Sequence, residues 1–259
     1  MIRLLFIFIL LVASGFWVFQ SGLIRKPQSL QNPSIVESVK QILPSPSPKV
    51  TLQTPPQSKT LTGGLQVFQT FNNCGPAALS MTLSYYGVNV SQQQLGQNLR
   101  PYQIPGGNND DKSVTLEELA EKGKEYDLIP YHRPNGSIDL IKLFITYDMP
   151  VIARTWTKPH EDIGHYRVVK GFDETSIIQD DSLQGKNLRY SYDDFNTLWG
   201  KFNYEYLVLV PQDEQSSSAS QSKQEIAEAI LGDDVDPRVS WQKAQRLAQD
   251  KLQENPEDI

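Results

Sequence analysis

With 259 residues, the chain is long enough for one ordinary domain with appendages or for two small ones. A net charge of −6, from 24 Lys and Arg against 30 Asp and Glu, argues against a nucleic-acid binder, which needs clustered cations against phosphate. One cysteine and three histidines exclude a disulfide framework, a thiolate zinc cluster and an iron–sulfur site, so no metal and no cofactor is expected. The imbalance is local: residues 212–259 hold 11 acidic and 5 basic residues, and the rest of the chain is neutral.

Residues 1–24 contain an uncharged run from Leu4 to Ile24, flanked by Arg3 on one side and Arg25-Lys26 on the other. As a helix it would span roughly 30 Å, the thickness of a bilayer core. Phe16, Trp17 and Phe19 fit an interfacial aromatic belt. The segment reads as a signal-anchor that ties the chain to a membrane. The alternative is a secretory signal cleaved near Val12-Ala13-Ser14. The remainder is expected outside the cytoplasm, membrane-anchored in the first case and secreted in the second. Residues 25–60 carry seven prolines and no aromatic residue or glycine, which reads as a semi-extended spacer.

Residues 61–211 read as the folded domain. A helix is expected over 74–86, with Ala78, Met81, Thr82 and Tyr85 on one face and Gly87 ending it. Ser91 and Gln94 form a capping-box pattern for a second helix. A loop covers 101–113, a third helix Leu116–Lys124, and a short strand Leu128–Arg133. Ser137 caps a helix running to about Tyr147. Strand-like runs follow at Val151–Trp156, His165–Val169, Ser176–Gln179, Leu188–Tyr190 and Tyr204–Val210, interrupted by a helix at Asp193–Trp199. Helices first and strands after is an α+β pattern. Residues 212–224 read as a Ser/Gln linker and 225–259 as an acidic helical tail. In that tail Ala244, Leu247, Ala248 and Leu252 form an apolar stripe that one helix pair cannot bury. It reads as a docking or oligomerisation segment for a protein partner.

The chemistry gathers around the only cysteine. In QTFNNCGPAALSM, Cys74 stands where a polar loop becomes an apolar helix, and Pro76 suits a first helical turn. A thiol there faces the positive end of the helix dipole, which favours the thiolate. A thiolate nucleophile needs a proton partner. His165 in GHYRVV is the candidate base, expected at the start of a strand, whereas His160 falls in a charged loop. The next strand ends in Asp180-Asp181, either of which could hold the imidazole; an ordinary polar turn is the bland alternative. An acyl-transfer site also needs oxyanion donors. The Cys74 N–H is one, and the Gln69 side chain is the favoured second, with Gln66 competing. The five-residue spacing of His160 and His165 excludes a zincin helix, NNDDKS lacks the EF-hand glycine, and neither Gly63-Gly64 nor Gly106-Gly107 opens a Gly-x4-Gly-Lys-Ser/Thr phosphate loop.

These residues resemble a known pattern. QTFNNCGPAALSMTLSYYG, then GHYRVVKGFD, then DDSLQG are similar to the papain-like double-glycine (bacteriocin-processing) peptidases, and more to the stand-alone branch that lacks a transporter. The likeness covers roughly residues 61–211. It implies an α+β papain-like fold, with a nucleophile helix packed on an antiparallel sheet. It also implies Cys74 as nucleophile and His165 as base. The family's Asp-Pro-X-X-Gly-like turn falls on Asp181–Gly185, with Ser182 in the proline's place, so the resemblance favours Asp181 over Asp180. The family's upstream glutamine falls on Gln69, five residues before the cysteine where six is common. No transporter segment accompanies the domain, so an export role does not carry over. The expected function is a membrane-tethered cysteine peptidase acting on a peptide or protein. The rivals are a papain-like acyltransferase with the same Cys-His-Asp order and a non-catalytic anchored binding module. Asp180, as a turn residue, should matter little for stability.

Overall fold

The computed structural model of the chain describes residues 50–100, 114–212 and 221–254, all within one unit, Val50–Ile259. The expected membrane segment, most of the proline-rich spacer, the loop at 101–113 and much of the Ser/Gln linker lie outside the described residues. Among the described residues no helix is long and apolar enough to cross a membrane.

The elements alternate in the expected order. Strand β1 (Lys59–Thr60) is followed by helices α1 (Cys74–Ser84), α2 (Gln92–Leu99) and α3 (Leu116–Lys124). Then come β2 (Leu128–Arg133), α4 (Ile138–Thr146), β3 (Val151–Lys158), β4 (Glu161–Phe172), β5 (Ser176–Asp181) and β6 (Gly185–Ser191). Helix α5 (Tyr192–Trp199), strand β7 (Tyr206–Pro211) and helices α6 (Lys223–Leu231) and α7 (Pro237–Glu254) complete the order. The expected capping box of Ser91 and Gln94 opens α2, Thr115 and Glu118 form another at α3, and Ser137 caps α4 through the Leu140 N–H. Each cap satisfies N–H groups that a helix start leaves unpaired.

The strands form one antiparallel sheet in the order β2-β7-β3-β4-β5-β6, with β1 on β4. Side-chain alternation divides the core in two. On one face Tyr206, Val208 and Val210 join Val151, Ala153 and residues of α4, α5 and α6. On the other, Leu207, Leu209, Ile152, Tyr166 and Val168 join α1, α2 and α3. The fold is the expected α+β arrangement, with helices on both faces of an antiparallel sheet.

Four local expectations give way to tertiary context. Helix α1 has no wet face: Gly75 to Ser84 are all buried, because the sheet and two helices surround it. Order begins before residue 61. Lys59 pairs with Phe172, and its ammonium reaches the Thr146 carbonyl and Asp148. Gly171 permits that crossing, since a Cβ there would stand 2.7 Å from the Lys59 carbonyl oxygen. Strand β4 begins at Glu161, so His165 sits inside it opposite Thr155; the hairpin turns tightly at Pro159-His160, where His160 has φ +64°. Finally, the first tail helix belongs to the domain. Ala227 and Leu231, one turn apart, enter the core, and Arg133 donates to the carbonyls of Asp234 and Val235. Only α7 keeps an exposed stripe, with Leu247 and Leu252 open to solvent.

Candidate active site

Cys74 is the first residue of α1 and half-buried. No side chain caps this helix. The residue before it, Asn73, is instead tied sideways, its Oδ1 accepting from Arg100 and its amide donating to Thr70. The first-turn N–H groups of α1 are therefore not consumed by a cap, and they converge where a helix dipole favours negative charge.

His165 lies against Cys74 and is 2% exposed. Its Nε2 stands 3.0 Å from Asp181 Oδ1, which leaves Nδ1 as the ring nitrogen that can partner Cys74. Burial works against the imidazolium, but the hydrogen bonds and charges of Asp181 and Cys74 outweigh it and hold the imidazole above its ordinary value of 6.5. The stability this contributes is full below the unfolded value and is lost as pH rises through the raised one. Asp181 is fully buried. Burial pushes its carboxyl up, but the His165 hydrogen bond and charge, the Arg167 charge and the Leu183 N–H together hold it below 3.8. That contribution is present above the unfolded carboxyl value and lost as pH falls through the lowered one.

The two aspartates part company because adjacent strand residues face opposite ways. Asp181 pairs in register with Arg167, two residues from His165 on the same face. Asp180 points to the other face, where it bonds Lys170 Nζ at 2.7 Å and the Asn187 N–H. Asp180 is buried in an ion pair rather than set in an exposed turn.

The glutamines separate as well. Gln69 lines the same cleft as Cys74 and His165. Its backbone N–H donates to the Ser182 carbonyl, and its side-chain oxygen accepts from the Ser182 hydroxyl at 2.7 Å. That leaves the amide N–H₂ as the group available to the cleft. Gln66 donates its amide to the Asp181 carbonyl, a structural tie for the approach loop. The cleft is about 620 Å³ and has a mixed wall. Ile163 and Leu183 present exposed apolar surface, while Lys158, Glu161 and Asp162 line the hairpin side. His132 is elsewhere, bonded to Glu205 and edge-on to Trp241. Among the described residues no cluster of His, Cys, Asp or Glu could hold a metal ion.

Two residues around the site escaped sequence reasoning. Ser182 holds Gln69, and Arg167 is fully buried against Asp181. The signal for Arg167 was present: a cation two positions after His165 in a strand-like run, and so on the same face.

A family model, Peptidase C39-like, matches residues 51–208. The chain belongs to the Peptidase C39-like family. Among solved structures it is similar to the peptidase domain of Streptococcus ComA, a bi-functional ABC transporter involved in quorum sensing (22% identity, TM-score 0.47). That match covers 58% of this chain and 100% of that one. It is also similar to a C39-like peptidase from Bacillus anthracis (16% identity, 61% and 100% covered, TM-score 0.48). A third is a double glycine motif protease from an AMS/PCAT transporter, solved with its leader peptide (18% identity, 57% and 92% covered, TM-score 0.45). No curated protein matches the chain. The papain-like α+β fold expected from the cysteine and histidine segments is that of this family.

Proposed function

We propose that the domain is a cysteine peptidase in which Cys74, His165, Asp181 and Gln69 carry the reaction. The observation that carries the reading is the continuous chain Cys74–His165–Asp181 opening on a cleft, with the buried carboxylate behind the imidazole. His165 takes the Cys74 proton and the thiolate attacks a peptide carbonyl, forming the S–C bond. The developing oxyanion is met by the Cys74 N–H and the Gln69 amide. His165 returns its proton to the leaving amine as the C–N bond breaks. It then deprotonates water, which displaces Cys74 as thiolate and leaves a carboxylic acid. Asp181 keeps the imidazole in one orientation and supports its charged form.

The test is covalent labelling with a peptide carrying a thiol-directed warhead, read by intact mass, since Cys74 is the only thiol. The wild type should label stoichiometrically, and His165→Ala should be slowed by orders of magnitude. Equal labelling of the two would remove the base role. For turnover, Gln69→Ala should lower kcat by about 10²–10³-fold while KM changes little, as when one oxyanion donor is lost. A pure rise in KM would mean that Gln69 only binds substrate.

The reading extends to location. Residues 1–24 tether the domain to a membrane through the spacer, on the extracytoplasmic side, and α7 offers a surface to a protein partner. Uncharged Leu4–Ile24 supports the anchor. N-terminal sequencing of protein from native membranes should begin at or near Met1. A soluble mature chain starting near Gly15 would refute it.

A further inference from the structure

We infer that Arg167 is a positioning residue that clamps the second oxygen of Asp181 and so sets the carboxylate against His165. The inference rests on the proposed Cys74–His165 pair and adds a fourth member behind it. Every arm of the guanidinium is engaged: Nε donates to Thr155 Oγ1 at 3.0 Å, Nη2 donates to the Thr157 carbonyl at 2.6 Å, and Nη1 stands 3.0 Å from Asp181 Oδ2. The Nη1 contact is off the line of a hydrogen bond, so it acts through charge. The Tyr190 ring closes over the guanidinium, 4.9 Å away. Asp181 is thus held on both sides. Oδ1 takes His165 Nε2 and the N–H groups of Leu183 and Gln184, while Oδ2 faces Arg167.

A fully buried ion pair is costly, and apolar residues in place of both partners are often neutral or stabilising. Val169, two residues on along the same face of β4, is apolar and packs in the core, so that face accepts apolar residues. What an apolar side chain could not do is fix the carboxylate and offset its charge. The rigid fork suits this better than lysine, whose ammonium is a single point charge. The groups facing this centre are His165 and Arg167 from β4, Asp181 from β5, Cys74 from α1 and Tyr190 from β6. Asp180 and Lys170 pair on the opposite face.

The experiment follows the His165 imidazole by NMR titration in full-length protein, assigned by its loss in His165→Gln, alongside a thermal melt. In Arg167→Met the carboxylate is no longer offset and the imidazolium is held harder. The titration midpoint should therefore rise by about one pH unit. Arg167→Lys keeps a charge but not the fork and should fall between. A merely structural role would lower the melt and leave the midpoint where it was. A wild-type midpoint in folded Arg167→Met overturns the inference. If Arg167→Met does not fold, Arg167→Lys decides by the same shift, and failure of both to fold assigns Arg167 a structural role instead. Failure of the Cys74–His165 reading is separate: it would appear as iodoacetamide alkylation of Cys74 unaffected by His165→Ala.

Discussion

Asp181→Asn should lower peptide turnover by up to ~10⁴-fold per folded molecule, the loss known when a triad acid becomes an amide. The amide oxygen can still accept the Leu183 and Gln184 N–H groups, so the turn after β5 can persist. What is lost is the negative charge behind His165, which is buried and has its imidazolium supported by Asp181. Stability falls too. Fully buried Arg167 keeps its charge and loses its carboxylate, and an uncompensated buried charge costs about 3–5 kcal/mol. The assay is therefore run well below the melting transition and normalised to folded protein. Turnover equal to wild type on that basis would remove Asp181 from the mechanism.

Asp180→Ala should do the reverse, lowering stability by about 3–5 kcal/mol with little change in rate per folded molecule. The sequence alone suggested a turn residue of small consequence. The structure sets Asp180 in a buried pair with Lys170, whose ammonium reaches both carboxylate oxygens, and Oδ1 also accepts the Asn187 N–H. Removing it strands an ammonium that has almost no access to water. Urea unfolding should show a lower midpoint with an unchanged slope, the mark of a stability change without a change in exposed surface. Replacing both partners together, as Lys170→Met with Asp180→Leu, should recover most of the loss, because paired burial is what the single variant breaks. A single-variant loss below about 1 kcal/mol would show that Lys170 finds another partner. A tenfold fall in rate would move Asp180 into the site.

Sequence reasoning reached what local rules govern. The capping pattern at Ser91 needs only residues three apart, and Cys74 beside Pro76 marks a helix start whatever packs on it. The α+β order followed from apolar periodicity, and the choice of His165 over His160 from the strand-like run after it. Two kinds of feature needed the whole chain. One is register: Asp180 and Asp181 are neighbours in sequence, and only the pairing of Arg167 with Asp181 across β4 and β5 decides which carboxylate lies against the imidazole. The separation of Gln69 from Gln66 is of the same kind, since both depend on where the loop meets Ser182 and Asp181, more than 110 residues away. The other is burial. Residues 50–60 and helix α6 read as polar appendages, yet Lys59 and Thr60 pair with β4, and Ala227 and Leu231 enter a core built by distant segments. Sequence by itself determined the types of residue and the local geometry that offers them. Tertiary structure decided which of them meet, because strand register and shared burial are set by contacts between segments that no local pattern links.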